Sequence, residues 1–419
     1  MPITFEPFET DWQQDPYPLF QQLRDEAPVH WAPQAKAFCI TRYEHVASIL
    51  NDPTLFKADS REYRLQRAQA KNSKRTQVAL IIRMLRAVRV PPWRFASSRM
   101  LIQVDGESHR VMRNVVNRGF TSQRIAAWEP RIRALANGCV ESFSKKERFD
   151  LVEELAVPLP VGVICAMLGI DAERRHDFKR WSDQIIQSVG GAFAIDQVDG
   201  KAVEAIGELR AYLAPIVRDR RRDPREDLIS TLVDHRSAGG LSDLEILLFV
   251  MLLLVAGNET TTNLIGNAVD TLLDHPDQLA RVASDPECIP GLVEESLRFE
   301  SPIQYRLRIA TERTEIAGTE IPQGALVVAM LGAANRDERR FPDAHRFDIT
   351  RDTRGHLSFG FGPHFCLGAA LARLEASVAL ETLLPLLSGL ARVTPEPTWV
   401  ASTMVRGHRR MDLMQTTRP

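Results

Sequence analysis

The chain has 419 residues, and its charges nearly cancel, with 53 Lys and Arg against 54 Asp and Glu. A net charge of −1 argues against nucleic acid as the main partner, because binding to phosphates usually requires a basic excess. Apolar residues make up 44% and charged residues 26%. This composition excludes disorder for most of the chain and indicates a globular protein.

No secretory signal is expected, because the acidic, proline-rich start lacks a basic segment followed by an apolar one. The most apolar run, residues 246–257, is shorter than the roughly 20 residues that span a bilayer, so we expect no transmembrane segment but a buried helix. The five cysteines are too scattered for a disulfide framework or a zinc site: Cys39, Cys139, Cys165, Cys288 and Cys366. We therefore expect a cytoplasmic protein.

Most of the chain has apolar residues at helical spacing. This spacing predicts helices over residues 18–26, 44–50, 108–116, 130–143, 158–167 and 203–221. Strand signals are sparse, and the best are residues 38–41, 314–321 and 325–331, the last two separated by a Pro-Gln-Gly turn. No Gly/Ser-rich linker divides the chain, so we expect one mainly α domain over residues 1–419, with a small β portion near both ends.

One segment departs from the balanced charge. Residues 61–99 contain eleven Lys or Arg and a single acid, which gives 11 − 1 = +10. Within it, Arg83, Arg86 and Arg89 alternate with apolar stretches, as in an amphipathic helix on an anionic membrane or partner. The alternative, which we favour, is a solvated lid whose apolar face covers a pocket.

The strongest chemical signal is the sequence FGFGPHFCLG over residues 359–368. Three glycines let the backbone turn tightly around Cys366: Gly360, Gly362 and Gly368. Apolar periodicity from Leu367 onward predicts a helix, and the positive end of its dipole would favour a thiolate at Cys366. Such a thiolate can be a metal ligand, or a nucleophile with His364 as the local base, although no cysteine-protease signature surrounds it.

Three further motifs place polar groups at helical spacing: AGNETT at 256–261, ESLR at 295–298 and DGESHRVMR at 105–113. Glu259 and Thr260 end the apolar run, where polar groups are costly unless they are satisfied. The structural alternative has Thr260 bonded to a carbonyl one turn back and Glu259 pointing to a rim. Glu295 and Arg298 can pair, because a spacing of three puts them on one helix face. His109 and Arg113 are four apart and also share a helix face, which could be no more than ordinary solvated surface.

The four motifs, in this order, resemble those of the cytochrome P450 family, with Phe359, Gly362, Cys366 and Gly368 matching its haem-binding loop. The resemblance implies a mainly α fold with a small β subdomain, in which haem b lies between a long oxygen-activation helix and the cysteine-loop helix. It implies that Cys366 is the axial thiolate ligand of the haem iron, which favours cleavage of the O–O bond.

The resemblance also implies roles for individual side chains. Propionate partners would be His109, Arg113, Arg308 and His364, with Arg306 as an alternative to Arg308. Further haem contacts would be Phe359, Ala256 and Gly368. Thr260 would hydrogen-bond dioxygen and Glu259 would relay protons, with Gly257 and the Thr260 hydroxyl loosening the helix to open a groove. Glu295 and Arg298 would form a buried structural network completed by Arg346.

Six residues would line the substrate pocket above the haem: Leu252, Val255, Ala256, Ile303, Gln304 and Met404. Most of them are apolar, which suits an apolar small molecule, although plain core packing explains each nearly as well. Residues 61–104 would form a long basic loop region over this pocket. We hypothesise that its charge attracts an anionic group on the substrate.

The resemblance implies a haem-thiolate monooxygenase that inserts one atom of O2 by hydroxylation or epoxidation. Electrons would come from NAD(P)H through a separate ferredoxin and ferredoxin reductase, because the chain carries no fused nucleotide-binding motif. A peroxygenase driven by hydrogen peroxide and a haem protein that binds a ligand without turnover remain alternatives. The retained Glu259–Thr260 pair favours the monooxygenase.

Overall fold

The computed structural model describes residues 3–60, 63, 98–190, 200–233 and 241–416. The basic segment predicted over residues 61–99 therefore lies almost entirely outside the described residues, as do Arg83, Arg86 and Arg89. The described part is built mainly from α-helices, as the sequence predicts, and contains several small β-sheets.

The helices are α1 (Tyr17–Glu26), α2 (Tyr43–Asn51), α3 (Gly106–Asn117), α4 (Ser122–Ala126), α5 (Glu129–Phe143), α6 (Pro158–Leu168), α7 (Arg175–Gly190), α8 (Gly200–Arg222), α9 (Leu228–Val233), α10 (Asp243–Asp274), α11 (Pro276–Ser284), α12 (Ile289–Phe299), α13 (Leu331–Ala334) and α14 (Ala369–Leu387). All six helices predicted from apolar spacing are present. Their starts follow local chemistry, because α1, α5 and α6 each have a proline in the first turn, where its missing N–H is not needed.

The strands are β1 (Val29–Ala32), β2 (Ala37–Ile40), β3 (Phe56–Lys57), β4 (Arg148–Asp150), β5 (Tyr305–Ala310), β6 (Thr314–Ile316), β7 (Thr319–Ile321), β8 (Leu326–Met330), β9 (Leu390–Arg392), β10 (Thr398–Trp399), β11 (His408–Arg410) and β12 (Asp412–Gln415). The largest sheet has the order β1-β2-β8-β5-β3. Strand β5 is an inner strand of this sheet, so its side chains are held in a fixed register.

One strand prediction is wrong in form. Residues 314–321 make a hairpin of β6 and β7 rather than a single strand. The chain reverses at Ala317 and Gly318, whose φ angles of 49° and 77° are both positive, as a tight hairpin turn requires. The three-stranded sheet β4-β12-β9 was not predicted, because its strands are too short to show an alternating pattern.

Helix α10 connects two apolar cores. Its first half, including Val250 and Leu254, packs in one buried cluster, and its second half, including Leu264 and Val269, packs in another. A capping box at Ser242 and Glu245 fixes its start. The segment 255–262 lies between the two cores, and this is where the sequence places its acid and hydroxyl.

Helix α10 is also long and apolar enough to cross a membrane by length and composition alone. However, 56% of its most apolar 18-residue stretch is buried inside the protein. It therefore has the character of a central core helix, as expected from the apolar run at 246–257.

Candidate active site

One face of helix α10 is only partly covered by the described residues. Leu252, Ala256 and Thr260 follow one another at intervals of four residues, so they lie on one face. Ala256 is exposed and the other two are half-buried, whereas Met251 and Leu254 beside them are buried. An exposed alanine in the middle of a core helix marks a space between elements, so this face borders the candidate site.

The helix around Thr260 does not open into the expected groove. The Thr260 hydroxyl donates a hydrogen bond to the Ala256 carbonyl at 2.8 Å, and Thr261 bonds in the same way to Gly257 at 3.2 Å. The α-helix nevertheless continues without interruption through residues 256–262. The predicted loosening of the helix into a groove is therefore not observed, because these hydroxyl bonds add to an intact helical turn.

Glu259 points into the protein and not to a rim. Its side chain is 3% exposed, and Lys179 on α7 donates to it at 3.2 Å. Lys179 also contacts Asp183 on its own helix. Burial raises the pKa of Glu259, and the cation of Lys179 opposes this rise without cancelling it. Lys179 lies 80 residues from Glu259 in the chain and has no motif around it, so the sequence does not predict this pair.

The loop before α14 wraps around Cys366. The Cys366 N–H donates to the Phe359 carbonyl at 2.8 Å. Gly360 and Gly362 have φ angles of 77° and 70°, as tight turning requires, whereas Gly368 has an ordinary φ of −89°. Helix α14 begins at 369, two residues later than the predicted start, so Cys366 precedes the N-cap residue Gly368.

The charge state of Cys366 is set by opposing influences. Burial raises its pKa, and a hydrogen bond from the Gly368 N–H together with the cations of Arg306, Arg113 and Arg373 offsets part of that rise. In the described residues no base hydrogen-bonds the sulfur, since His364 bonds to Asp105 instead. A metal ligand therefore fits Cys366 better than an activated nucleophile does.

A cluster of basic side chains lies close to this loop. His364 is hydrogen-bonded to Asp105 through Nε2 at 2.8 Å, and its ring lies 4.3 Å from the ring of His109. Asp105 also accepts hydrogen bonds from the backbone N–H groups of Ala58 and Asp59. Burial, with the nearby His364 and Arg113, lowers the pKa of His109 to about 4, so His109 is neutral at pH 7.

Three arginines complete this cluster. Arg113 and Arg306 have no carboxylate partner among the described residues, and burial lowers the pKa of each. Burial and the neighbouring Arg306 lower the pKa of Arg308 to about 10. Arg308 is buried, Arg113 is half-buried and Arg306 is exposed, so the unpaired cations border a space that a ligand with carboxylates of its own would fill. Arg306 lies two residues from Arg308 on β5, and this spacing was the signal for it in the sequence.

The Glu295–Arg298 pair is a buried structural network, as expected. Both side chains are completely buried, and two hydrogen bonds of 2.7 Å join them. The predicted third member is wrong. Arg346 offers only its backbone carbonyl, at 3.2 Å from Arg298, whereas the guanidinium of Arg351 bonds to Glu295 at 3.3 Å. Arg351 follows the loop and turns back over it, which spacing alone does not reveal.

The predicted substrate residues fall into different environments. On α10, Ala256 is exposed, whereas Leu252 and Val255 are half-buried and each packs against a core cluster. Ile303 is a buried member of the cluster against which Val255 packs. Met404 is half-buried, and its carbonyl accepts the Gln304 N–H at 2.8 Å.

Gln304 belongs to the packing rather than to a free surface. It is 1% exposed and donates to the Ser301 carbonyl at 2.7 Å. Its amide also abuts Gly332, where a Cβ would lie 2.3 Å from Oε1.

A mainly α fold around one long helix, in which a cysteine loop adjoins unpaired arginines and faces no base, is the arrangement of a haem-thiolate protein. The Cytochrome P450 family profile matches residues 94–285 and 288–391. The chain belongs to the cytochrome P450 family. Members bind haem through a cysteine thiolate, and hydroxylases and monooxygenases are named among the relatives, so this chain is a cytochrome P450 monooxygenase.

Several relatives match nearly the whole chain. Cytochrome P450 107B1 of Saccharopolyspora erythraea is 36% identical over 407 residues, covering 96% of this chain and 95% of the relative. Vitamin D(3) 25-hydroxylase of Pseudonocardia autotrophica is 38% identical, covering 96% and 94%. The structure of cytochrome P450 CYP109Q5 from Chondromyces apiculatus is 38% identical with a TM-score of 0.84, covering 100% and 99%.

The residues of this chain fit a haem. The group carries two carboxylates, and Arg113 and Arg306 are cations without a carboxylate partner in the described chain. Its iron takes a thiolate ligand in this family, and Cys366 is a half-buried loop residue whose sulfur is bonded to no base among the described residues. It also needs an uncovered helix face, which Ala256 provides.

Proposed function

We propose that this protein is a cytoplasmic, single-domain monooxygenase that inserts one atom of O2 into an apolar small molecule by hydroxylation or epoxidation. Electrons come from NAD(P)H through a separate ferredoxin and ferredoxin reductase. The single observation that carries this proposal is the pairing of a buried acid, Glu259, with the hydroxyl of Thr260 on the uncovered stretch of α10. The bound haem supplies the redox chemistry of dioxygen activation.

Cys366 would hold the iron through its sulfur, with the loop carbonyl of Phe359 and the Gly368 N–H fixing its orientation. The propionates would meet a basic set made of His109, Arg113, Arg306, Arg308 and His364. This set supplies charge-assisted hydrogen bonds, and neutral His109 can donate one through its ring N–H. Phe359, Ala256 and Gly368 would border the macrocycle.

Glu259 and Thr260 would control the supply of protons. The Thr260 hydroxyl donates a hydrogen bond to the Ala256 carbonyl, so its oxygen is free to accept another hydrogen bond. To donate toward the site, the hydroxyl must rotate away from that carbonyl. Glu259 can exchange protons with Lys179, which is partly exposed and so connects the buried acid to the surface. The raised pKa of Glu259 brings its proton exchange closer to neutral pH.

The substrate is expected to be apolar. Leu252, Val255 and Ala256 present aliphatic carbon on the uncovered face of α10, and Ile303 packs beside them. The names of relatives agree with this class, since one is a vitamin D(3) 25-hydroxylase and another a 6-deoxyerythronolide B hydroxylase. A structure 32% identical to this chain, of CYP109E1 from Bacillus megaterium with a TM-score of 0.80, covers 96% of this chain and 100% of its own and contains testosterone.

The experiment compares Thr260→Ala with wild type in two reactions on one apolar substrate. With NAD(P)H, ferredoxin and reductase, we expect the variant to form much less product per NAD(P)H consumed, because the hydroxyl no longer controls proton supply. With hydrogen peroxide as sole oxidant, we expect the two proteins to differ far less. Wild-type turnover with peroxide but none with the redox chain would indicate a peroxygenase, and no product in either reaction would indicate a ligand-binding protein.

A second measurement tests the ligand itself. Reduced wild-type protein with carbon monoxide should give the absorption band of a thiolate-ligated haem, and Cys366→Ala should lose it. Cys288→Ala is the matched control, because Cys288 is also half-buried and, in the part of the chain that the structure describes, its sulfur bonds to Asp285 on its own turn. Retention of the band in Cys366→Ala would overturn the assignment.

A further inference from the structure

A second charged cluster lies under the cysteine loop, apart from the Glu295 network and the basic cluster. Glu294 on α12 binds the guanidinium of Arg373 on α14 through two hydrogen bonds, of 2.5 and 3.0 Å. It also accepts a hydrogen bond from His356 Nε2 at 3.1 Å. One carboxylate thus holds a cation and an imidazole, which ties α12, α14 and the loop together.

Both partners of Glu294 act on Phe359. The Arg373 guanidinium carbon lies 4.5 Å from the centre of the Phe359 ring, within the range of a cation–π contact. The Phe359 ring is also 5.9 Å from the ring of His356. Because His356 Nε2 is the donor to Glu294, its Nδ1 can accept the N–H of Ser358, at 3.3 Å, immediately before Phe359.

Phe359 in turn holds the cysteine. Its carbonyl accepts the Cys366 N–H, so the position of Phe359 determines where the backbone of Cys366 sits. The guanidinium of Arg373 lies over the ring of this same residue, so its positive charge is held against the loop that carries Cys366. Arg373 is therefore linked to Cys366 through Phe359 and the loop backbone.

We propose that Arg373 is a positioning residue for the haem thiolate: held by Glu294 and stacked on Phe359, it fixes the cysteine loop and places its positive charge against that loop. This inference rests on the proposed role of Cys366 as the haem ligand. A cation near the sulfur favours the reduced form of the haem, in which the site carries one more electron, so Arg373 raises the reduction potential. Glu294, of opposite charge, lowers it.

The test measures the midpoint reduction potential and the carbon monoxide band of holoenzyme variants. Arg373→Gln is expected to shift the potential to more negative values, and Glu294→Gln to more positive values. Disruption of the fold alone would move both variants in the same direction, so opposite signs identify an electrostatic role. Arg133→Gln is the matched control, because Arg133 pairs with Glu381 on the same helix α14 but far from the loop. We expect it to keep the wild-type potential.

Arg373→Lys separates charge from geometry. It keeps the positive charge, so we expect a potential near that of wild type even if Arg373→Gln binds too little haem to be measured. A potential unchanged in Arg373→Gln, or shifts of one sign in both charge-removing variants, overturns the proposal. A shift of the reduction potential in Arg373→Lys as large as that in Arg373→Gln also overturns it. We expect the Arg373 variants to keep the carbon monoxide band and Cys366→Ala to lose it. This difference separates the role of Arg373 from the assignment of Cys366 as the haem ligand.

Discussion

Glu259 and Lys179 form an ion pair that joins the centre of α10 to α7, with 3.2 Å between the ammonium and the carboxylate. The acid is almost completely buried, whereas 28% of the lysine side chain is exposed. The pair therefore links the middle of the core to the surface, and Asp183 next to Lys179 extends the charged path on the outer side. The cost of burying an acid at the centre of an apolar helix is offset here by its partner.

Replacing Lys179 by Gln should lower the free energy of unfolding by roughly 1–3 kcal/mol, because it leaves a buried carboxyl without its cation. It should also raise the pKa of Glu259 further, since the cation opposes the effect of burial. The pH profile of product formed per NAD(P)H should then shift to higher pH. Denaturant unfolding and a pH series of coupled turnover measure the two effects.

The control for this prediction is Lys146→Gln. Lys146 pairs with Glu154 but is 49% exposed, so its loss should change stability by less than about 0.5 kcal/mol. An unchanged pH profile in Lys179→Gln would contradict the linkage between Lys179 and Glu259.

The Glu294 cluster should make stability depend on acid pH. Burial alone would raise the pKa of Glu294, but hydrogen bonds from His356 and Arg373 outweigh it and lower the pKa to about 2. A carboxyl whose pKa is lower in the folded state stabilises the protein above its unfolded pKa, here 4.5, and this contribution is lost as the pH falls toward 2. Glu294→Gln should therefore lose less stability than wild type between pH 6 and pH 3.5.

Unfolding of the holoenzyme by denaturant at the two pH values provides this comparison. Glu129→Gln serves as the reference, because Glu129 forms an exposed pair with Arg133 at a helix start. An equal loss of stability on acidification in Glu294→Gln and wild type would show that the cluster does not respond to pH as described.

Arg351 and Arg346 are close in sequence but should contribute differently to the stability of the buried Glu295–Arg298 network. Arg351→Gln removes a hydrogen bond to buried Glu295 and others to loop carbonyls, including those of Asp343 and Arg346, so the free energy of unfolding should fall by about 1–3 kcal/mol. Arg346→Gln should cost less than about 0.5 kcal/mol, because that side chain is exposed and only its backbone takes part. Thermal unfolding of both variants decides the matter, and equal effects would contradict the assignment of Arg351.

Gly362 should not tolerate a side chain. Its φ of 70° is unfavourable for other residues, and a Cβ there would lie 2.8 Å from the Leu50 carbonyl oxygen and 2.9 Å from the Asn51 Cα. Gly362→Ala should therefore destabilise the cysteine loop by about 1–3 kcal/mol and lower the haem content of the purified protein.

Gly138→Ala is the matched comparison for Gly362→Ala. Gly138 lies inside α5 with open space around its Cα, so alanine there should stabilise the protein by about 0.5–1 kcal/mol. Full haem content in Gly362→Ala would contradict the prediction. Absorbance per protein and unfolding curves of the two alanine variants give the result.

Local patterns predicted most of the helices and the motifs of the site. Apolar spacing over ten or more residues defines a helix such as α5 almost unaided, and the turn around Cys366 follows from the glycines that flank it. The family itself followed from four motifs in order. These features depend on residues close together in the chain, which is why they are visible in the sequence.

Partners brought together by the fold were not visible. Lys179 meets Glu259 across 80 residues, and Arg351 meets Glu295 across 56, and in neither case does the local sequence mark the partner. Gln304 was predicted to line the substrate pocket from its position after the Glu295–Arg298 motif. Its amide instead packs against Gly332. Long-range contacts of this kind depend on the packing of whole elements and not on spacing.

The register of β5 has a consequence for the incorporation of haem. Arg306 is paired with Ala329 and Arg308 with Val327 on β8, so both guanidinium groups leave the sheet on one side. A slip of a single residue would turn both to the opposite side. Haem binding would then report on the correct alignment of β5 with β8. A chain with this sheet misaligned would bind no haem and would lack its absorbance.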